Sequence, residues 1–128
     1  MIVYLDADIL IWHLRGLSAA TALLSELMGD DAVDVWTGCM QRAEVVFHLR
    51  RSEREETERL MDLIRSYPVT ERIVDTAAEI YRTWHPSHGT DPNDAILAAT
   101  TVLTNGVVVT QNVKHFPMLG QACRRGWD

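Results

Sequence analysis

A short apolar run, Ile2 to Leu5, stops abruptly at Asp6. Its β-branched and aromatic content, without polar alternation, predicts a central strand covered on both faces. Ser18 to Met28 then follows helical periodicity, with Ser18 as a candidate N-cap and Gly29 as a stop. "VDVWT" alternates and reads as a second strand. "MQRAEVVFHLRR" returns to helical spacing and directs Met40, Ala43, Val45 and Val46 toward a core, while the charged "SEREETERLMDLIRS" predicts another helix with Leu60, Leu63 and Ile64 as its buried edge. "YPVTE" suits a short third strand, "IVDTAAEIYRTW" a helix, and "HPSHGTDP" a loop. A further helix begins with Asp91 as cap, Pro92 in the first turn and Asp94 where a capping-box acid stands, and runs on through "AILAATTVL". Asn105 and Gly106 end it, "VVVT" is the last clear strand, and the C-terminal "QACRRGWD" shows no clear apolar strand. Strands separated by helices imply parallel pairing and right-handed crossovers, so the chain is of the α/β class, an α/β/α sandwich around a central parallel sheet.

Composition narrows this picture. With 128 residues and 47% hydrophobic content, residues 1–128 fit one domain able to bury a core. No apolar stretch reaches the roughly 18 residues of a membrane span, and no basic segment precedes the first apolar run as it would in a secretion signal, so a cytoplasmic protein with no membrane partner is expected. Cys39 and Cys123 lie in no metal-binding spacing and read as reduced thiols. The formal charge of −6 argues against a general positive field for nucleic acid. Two local basic clusters remain: Arg50, Arg51 and Arg54, and Arg124 with Arg125 near the end. Each reads either as a solvated helix end or tail, or as part of a substrate track.

The acids carry the candidate chemistry. Ligands of open parallel sheets bind beyond the carboxyl ends of the strands, and Asp6 stands at such an end. It can equally cap the following helix, and Asp8 can support it or belong to that helix's first turn. Glu44 lies between Ala43 and Val45 in an otherwise apolar helical stretch, a position compatible with either a site or an exposed face. Asp94 is stabilised by the helix dipole whatever its function. Ala95, Ala98 and Ala99 nevertheless let its helix pack close to the sheet and bring it near Asp6. Convergence of Asp6, Glu44 and Asp94 would raise their pKa values or demand a counter-charge. An all-oxygen set favours Mg²⁺ or Mn²⁺, which keep several waters and also take phosphate oxygens, the equipment of phosphodiester hydrolysis.

Other chemistries find less support. His13, His48, His85, His88 and His115 form neither HExxH nor a ligand cluster and read mostly as surface or packing residues. There is no GxSxG elbow and no Gly-rich phosphate loop. Trp12, Trp36, Trp84 and Trp127 are dispersed, which suits core or interface roles better than a base-stacking platform.

Taken together, "YLDADILIWHLRG", "RAEVVFHL", "DPNDAILAAT" and "VVVTQNVKHFP" resemble the PIN-domain ribonucleases, most closely the VapC-type toxins of bacterial toxin-antitoxin pairs. The resemblance spans nearly the whole chain in order. It implies a PIN-like sandwich and an Mg²⁺- or Mn²⁺-dependent endoribonuclease acting on an RNA substrate. By that resemblance Asp6, Glu44 and Asp94 are the metal-binding acids. Thr110 and Asn112 match the T-x-N pattern beside the family's site, with Asn112 assisting catalysis where some members carry a fourth acid. An amide brings hydrogen bonds but no charge for a second metal. The family also implies a homodimer, and silencing by a cognate antitoxin protein whose tail occupies the acidic groove.

Two alternatives stay open on sequence. "DAD" after an apolar strand is similar to the haloacid-dehalogenase-like phosphatases, with Asp6 as nucleophile, although Leu10 stands where that family prefers Thr or Val. A receiver-like phospho-switch has less behind it. The other is a catalytically silent binding module whose acidic groove receives a basic partner.

Overall fold

The computed structural model describes residues 1–128. Five strands form one sheet: β1 Ile2–Leu5, β2 Asp34–Gly38, β3 Arg65–Tyr67, β4 Val107–Val109 and β5 Cys123–Arg124. Their order is β3-β2-β1-β4-β5, all pairs parallel. Six α-helices connect and cover them: α1 Ala7–Leu14, α2 Ser18–Met28, α3 Cys39–Phe47, α4 Arg54–Leu63, α5 Glu71–His88 and α6 Pro92–Thr104. The expected α/β sandwich with a central parallel sheet is therefore present. No helix is long and apolar enough to cross a membrane.

The central strand explains the layering. Alternate residues of β1 point to opposite faces. Val3 and Leu5 enter one core with Ile9, Leu10, Leu24, Leu60 and Ile64, and Tyr4 enters another with Leu97, Ala98, Val108 and Phe116. Each fully buried aliphatic or aromatic side chain of this kind contributes roughly 1.5–3 kcal/mol. The strand order turns at β1: from it the chain builds outward to β2 and β3, then returns to the other side as β4. The crevice between the carboxyl ends of β1 and β4 is thus a topological switch point, where open parallel sheets place ligands.

Several boundaries differ from the sequence expectation for identifiable reasons. The third strand is Arg65–Tyr67 rather than "YPVTE", because Pro68 has no N–H for a ladder and ends the pairing. The helix expected over "SEREETERLMDLIRS" is shorter, a 3₁₀ turn at Arg51–Glu53 and then α4, and Leu63 is exposed rather than buried. The third helix stops at Phe47, leaving Val46 exposed, while Val45 faces the core. Ser18 is the first helical residue of α2, and the capping position belongs to Leu17. Part of the loop "HPSHGTDP" is helix: α5 continues through Pro86 to His88, where Gly89 at φ 68° provides the left-handed stop that Pro86 does not. The segment "QACRRGWD" contributes β5, a two-residue edge strand too short and polar to announce itself by pattern.

Candidate active site

Each bank of the crevice is assembled by a different device. On the strand side, Asp6 caps α1, its Oδ1 accepting from the Ala7 N–H at 2.8 Å, while its own N–H continues the sheet to the Val109 carbonyl at 3.0 Å. Both sequence readings of Asp6 hold at once, cap and strand-end acid. The Thr110 hydroxyl donates to Asp6 Oδ2 at 2.7 Å, joining residues 104 positions apart. Asp8 belongs to the same assembly, for its Oδ2 accepts from the Gln111 N–H at 2.8 Å. Asn112 follows directly. Its N–H donates to Thr110 Oγ1 at 3.0 Å and its side chain is exposed.

Helices α3 and α6 supply the opposite bank. Gly38 permits their close approach, since a Cβ there would run into the Gln41 amide and Leu97. The Gln41 amide reaches the Asn93 carbonyl at 3.3 Å, and the Asn93 side-chain amide donates to Glu44 Oε1 at 3.1 Å. Asp94 completes a capping box with Asp91: its N–H donates to Asp91 Oδ1 at 2.7 Å, and its Oδ2 accepts from the Asp91 N–H at 3.1 Å. His115 Nδ1 lies 3.3 Å from the same Asp94 oxygen, with the His115 carbonyl held by the buried Thr90 hydroxyl at 2.8 Å.

Burial and mutual repulsion act together on these acids. Burial, then repulsion from Asp8 and Glu44, pushes Asp6 up to about 7 against the pull of its hydrogen bonds. Asp94 also rises to about 7, through burial first and then the charges of Asp91 and Asp6. Burial raises Asp8, and it raises Glu44, with the charges of Asp91 and Asp8 adding to the rise at Glu44. No lysine or arginine is ion-paired with any of the four. Such a cluster invites a cation. As the side chains stand, however, no three His, Cys, Asp or Glu groups are arranged to hold one ion together. The donor set still fits a hard divalent cation, because Mg²⁺ is held by one or two carboxylates and retains several waters.

Asp6, Glu44 and Asp94 therefore lie close enough to repel one another or a shared neighbouring acid, while Asn112 adjoins them through its backbone bond to Thr110. Sequence reasoning omitted Asp8 from the site set, although its spacing two residues from Asp6 was the available signal. It also missed Asn93, the amide that positions Glu44, and assigned His115 no place beside Asp94. Neither of these two has a sequence signal, for both depend on how α6 and the 3₁₀ turn Val113–His115 fold against their neighbours.

Known proteins share this arrangement of sequence and fold. The PIN domain family model matches residues 3–117. Ribonuclease VapC10 of Mycobacterium tuberculosis is 34% identical over 120 residues, covering 93% of this chain and 89% of that protein. Ribonuclease VapC19 of the same organism is 33% identical over 115 residues, covering 89% and 91%. Among solved structures, VapBC2 from Rickettsia felis bound to a DNA fragment from its promoter superimposes with a TM-score of 0.79 at 17% identity, with 100% of each chain covered. At that identity the likeness is one of fold.

Proposed function

The chain belongs to the PIN-domain family, and on that premise we propose that it is a divalent-cation-dependent endoribonuclease of the VapC type, the toxin of a toxin-antitoxin pair. One observation carries the reading. A buried acid at the switch point, Asp6, is pushed up to about 7 among other acids with no basic side chain paired to it. Bound Mg²⁺ or Mn²⁺ would supply positive charge and Lewis acidity at a scissile phosphate. In this reading Asp6 and Asp94 hold the cation directly, and Glu44 completes the set directly or through water.

The remaining residues position. Thr110 fixes which oxygen of Asp6 faces the crevice, and the Gln111 N–H does the same for Asp8. Asn93 holds Glu44 so that its other oxygen can orient an attacking water. Asn112, its side chain exposed, offers an amide to that water or to a phosphate oxygen. The phosphatase alternative is not favoured, because the family matched over residues 3–117 is a different one.

Two partners belong to the reading. Toxin-antitoxin and VapBC complexes among the fold neighbours support a cognate antitoxin, and the family resemblance supports its tail covering the acidic crevice. The family resemblance supports a homodimer, for which the apolar groove bordered by Val74, Ala78, Tyr81 and Ile96 offers a surface that a second copy would cover.

The test is incubation of purified protein with structured RNA in Mg²⁺, in Mn²⁺ and in chelator, followed by sequencing of the RNA ends. Cation-dependent internal cuts by the wild type, absent in Asp6→Asn, are the expected result. A folded wild-type protein that leaves every RNA intact in both cations rejects the assignment.

A further inference from the structure

The acids of the crevice repel the backbone of any nucleic acid, so a ribonuclease built on them needs cations close by to hold its substrate. This requirement rests on the function proposed above. Twelve Lys and Arg residues are available, and many are already engaged. Arg50, Arg54, Arg59 and Arg82 pair with glutamates on their own helical segments, Arg42 donates to the Met61 carbonyl, and Arg65 lies over the Trp36 ring. Arg15, Arg51, Arg72, Lys114, Arg124 and Arg125 have no ion-pair partner.

Two of these, Lys114 and Arg125, border one cavity of about 250 Å³, formed with Gln111, Asn112 and Val113. Gln111, whose backbone N–H holds Asp8, lines this cavity, so the cavity adjoins the site without sharing its acids. Its position is set by Gln111. The backbone N–H of Gln111 donates to Asp8, its side-chain Oε1 accepts from the Gly126 and Trp127 N–H groups at 2.9 and 3.3 Å, and its Nε2 donates to the Trp127 carbonyl at 3.0 Å. The Thr110 N–H meanwhile donates to the Arg124 carbonyl at 3.1 Å, and the Trp127 ring packs against the core. Arg125 is thus gripped on both sides along the chain, at a fixed offset from Asp6 and Asp8.

Across the crevice, Arg15 and His48 line a second cavity. That one has a volume of only about 50 Å³ and includes Glu44 and Glu53, whose charges oppose an anion. The observations favour the first cavity.

We propose that Lys114 and Arg125 form a phosphate-binding shoulder that seats the RNA backbone next to the scissile position, and that the C-terminal segment exists in this fold to deliver Arg125 there. The assignment makes both residues binding groups, so their loss weakens substrate affinity while leaving turnover of saturated enzyme near wild type.

Binding is measured by fluorescence anisotropy with a labelled single-stranded RNA of mixed sequence in chelator, at several salt concentrations, for the wild type, Lys114→Ala/Arg125→Ala, and Arg72→Ala as a charge control that borders neither cavity. Both altered residues of the double variant are exposed, and an unchanged Tm verifies its fold. The expected result is Kd raised about tenfold near 0.1 M salt and a salt slope flatter by about 1.4, from −0.7 per lost phosphate contact on a single strand. In Mn²⁺, the double variant should show a raised KM with kcat retained. A wild type that cuts RNA while the double variant binds it equally well, with the same slope, overturns the shoulder alone. Equal weakening by Arg72→Ala also overturns it, leaving only a general charge effect. A wild type that neither binds nor cuts overturns the ribonuclease reading and the shoulder with it.

Discussion

The two banks of the crevice hold acids of the same kind by different means. Asp6 and Asp8 are fixed by backbone N–H groups and by a hydroxyl at the end of the neighbouring strand, so they inherit the rigidity of the β1–β4 ladder. Glu44 and Asp94 rest on a side chain and on a cap: one hydrogen bond donated by the Asn93 amide, and the Asp91–Asp94 capping box. A parallel ladder shifts little without breaking several bonds, whereas a carboxylate in a capping box reorients by a χ rotation that sacrifices one cap bond worth about 1 kcal/mol. The strand bank is therefore preset and the helix bank adjustable. That difference accounts for a crevice in which acids sense one another electrostatically yet no three of them stand ready around a single ion.

The largest effect that would test this contrast is removal of the preset acid. Asp6→Asn keeps the cap, since the amide oxygen still accepts from Ala7, but it removes one of the charges that repel Asp94. A loss of about 4 kcal/mol in transition-state stabilisation, or ~10³-fold in cation-dependent cleavage, is expected. Glu44→Gln should cost less, about 10–100-fold, because an adjustable group acting partly through water is replaceable by a neighbouring water. Single-turnover cleavage of one RNA by both variants compares them directly. Equal losses would erase the distinction between the banks.

Much of this crevice was legible in the chain itself. Asp6 stood out because a fully apolar run ends on a charge, and Asp91, Pro92 and Asp94 because capping chemistry is local and leaves a spacing signature. The layered α/β architecture followed from alternation of strands and helices. What the sequence hid depends on contacts made across long intervals. Asn93 reaches Glu44 over 49 positions, and Thr110 reaches Asp6 over 104, so neither bond has a local pattern. The C-terminal strand was hidden for another reason: a two-residue edge strand needs no hydrophobic alternation when Thr110 and Gln111 tie it down. Pro86 misled in the opposite direction. A proline removes one helical hydrogen bond, and near an exposed C-terminal turn that loss does not stop the helix.

Positioning groups offer a finer comparison. Thr110→Val removes the hydroxyl between Asp6 and Asp8 without changing volume, and leaves a buried carboxylate oxygen without its donor. Asn93→Ala frees Glu44 on a half-exposed surface, where water takes the place of the lost amide. A preset bank loses more from such a change than an adjustable one. Cleavage should fall about 100-fold in Thr110→Val and closer to 10-fold in Asn93→Ala. A larger loss in Asn93→Ala, with Tm unchanged in both, would reverse the assignment of rigid and adjustable banks.

The smallest effect concerns stability without any cation. Asp6 and Asp94 have folded-state pKa values raised to about 7 from 3.8, so the folded protein binds more protons than the unfolded chain throughout that interval. Stability from these two groups is complete below about pH 4 and drains away as pH climbs through 7. In chelator, Tm should thus fall by several degrees, on the order of 5 °C, between pH 5 and pH 8. Asp6→Asn should flatten that fall, and so should Asp94→Asn. If the proposed cation site is right, adding Mn²⁺ at pH 8 should restore the wild type by mass action, with about 2.7 kcal/mol gained at a hundredfold excess over Kd, and should restore the variants less. The two variants then divide the banks once more. A carboxylate that cannot turn away retains its repulsion, so Asp6→Asn should relieve more of the pH slope than Asp94→Asn, whose native carboxylate can swing away from the crevice by giving up its bond from Asp91 N–H. Differential scanning fluorimetry across the pH series reads both slopes, and a steeper relief in Asp94→Asn would show the helix bank to be the more confined of the two.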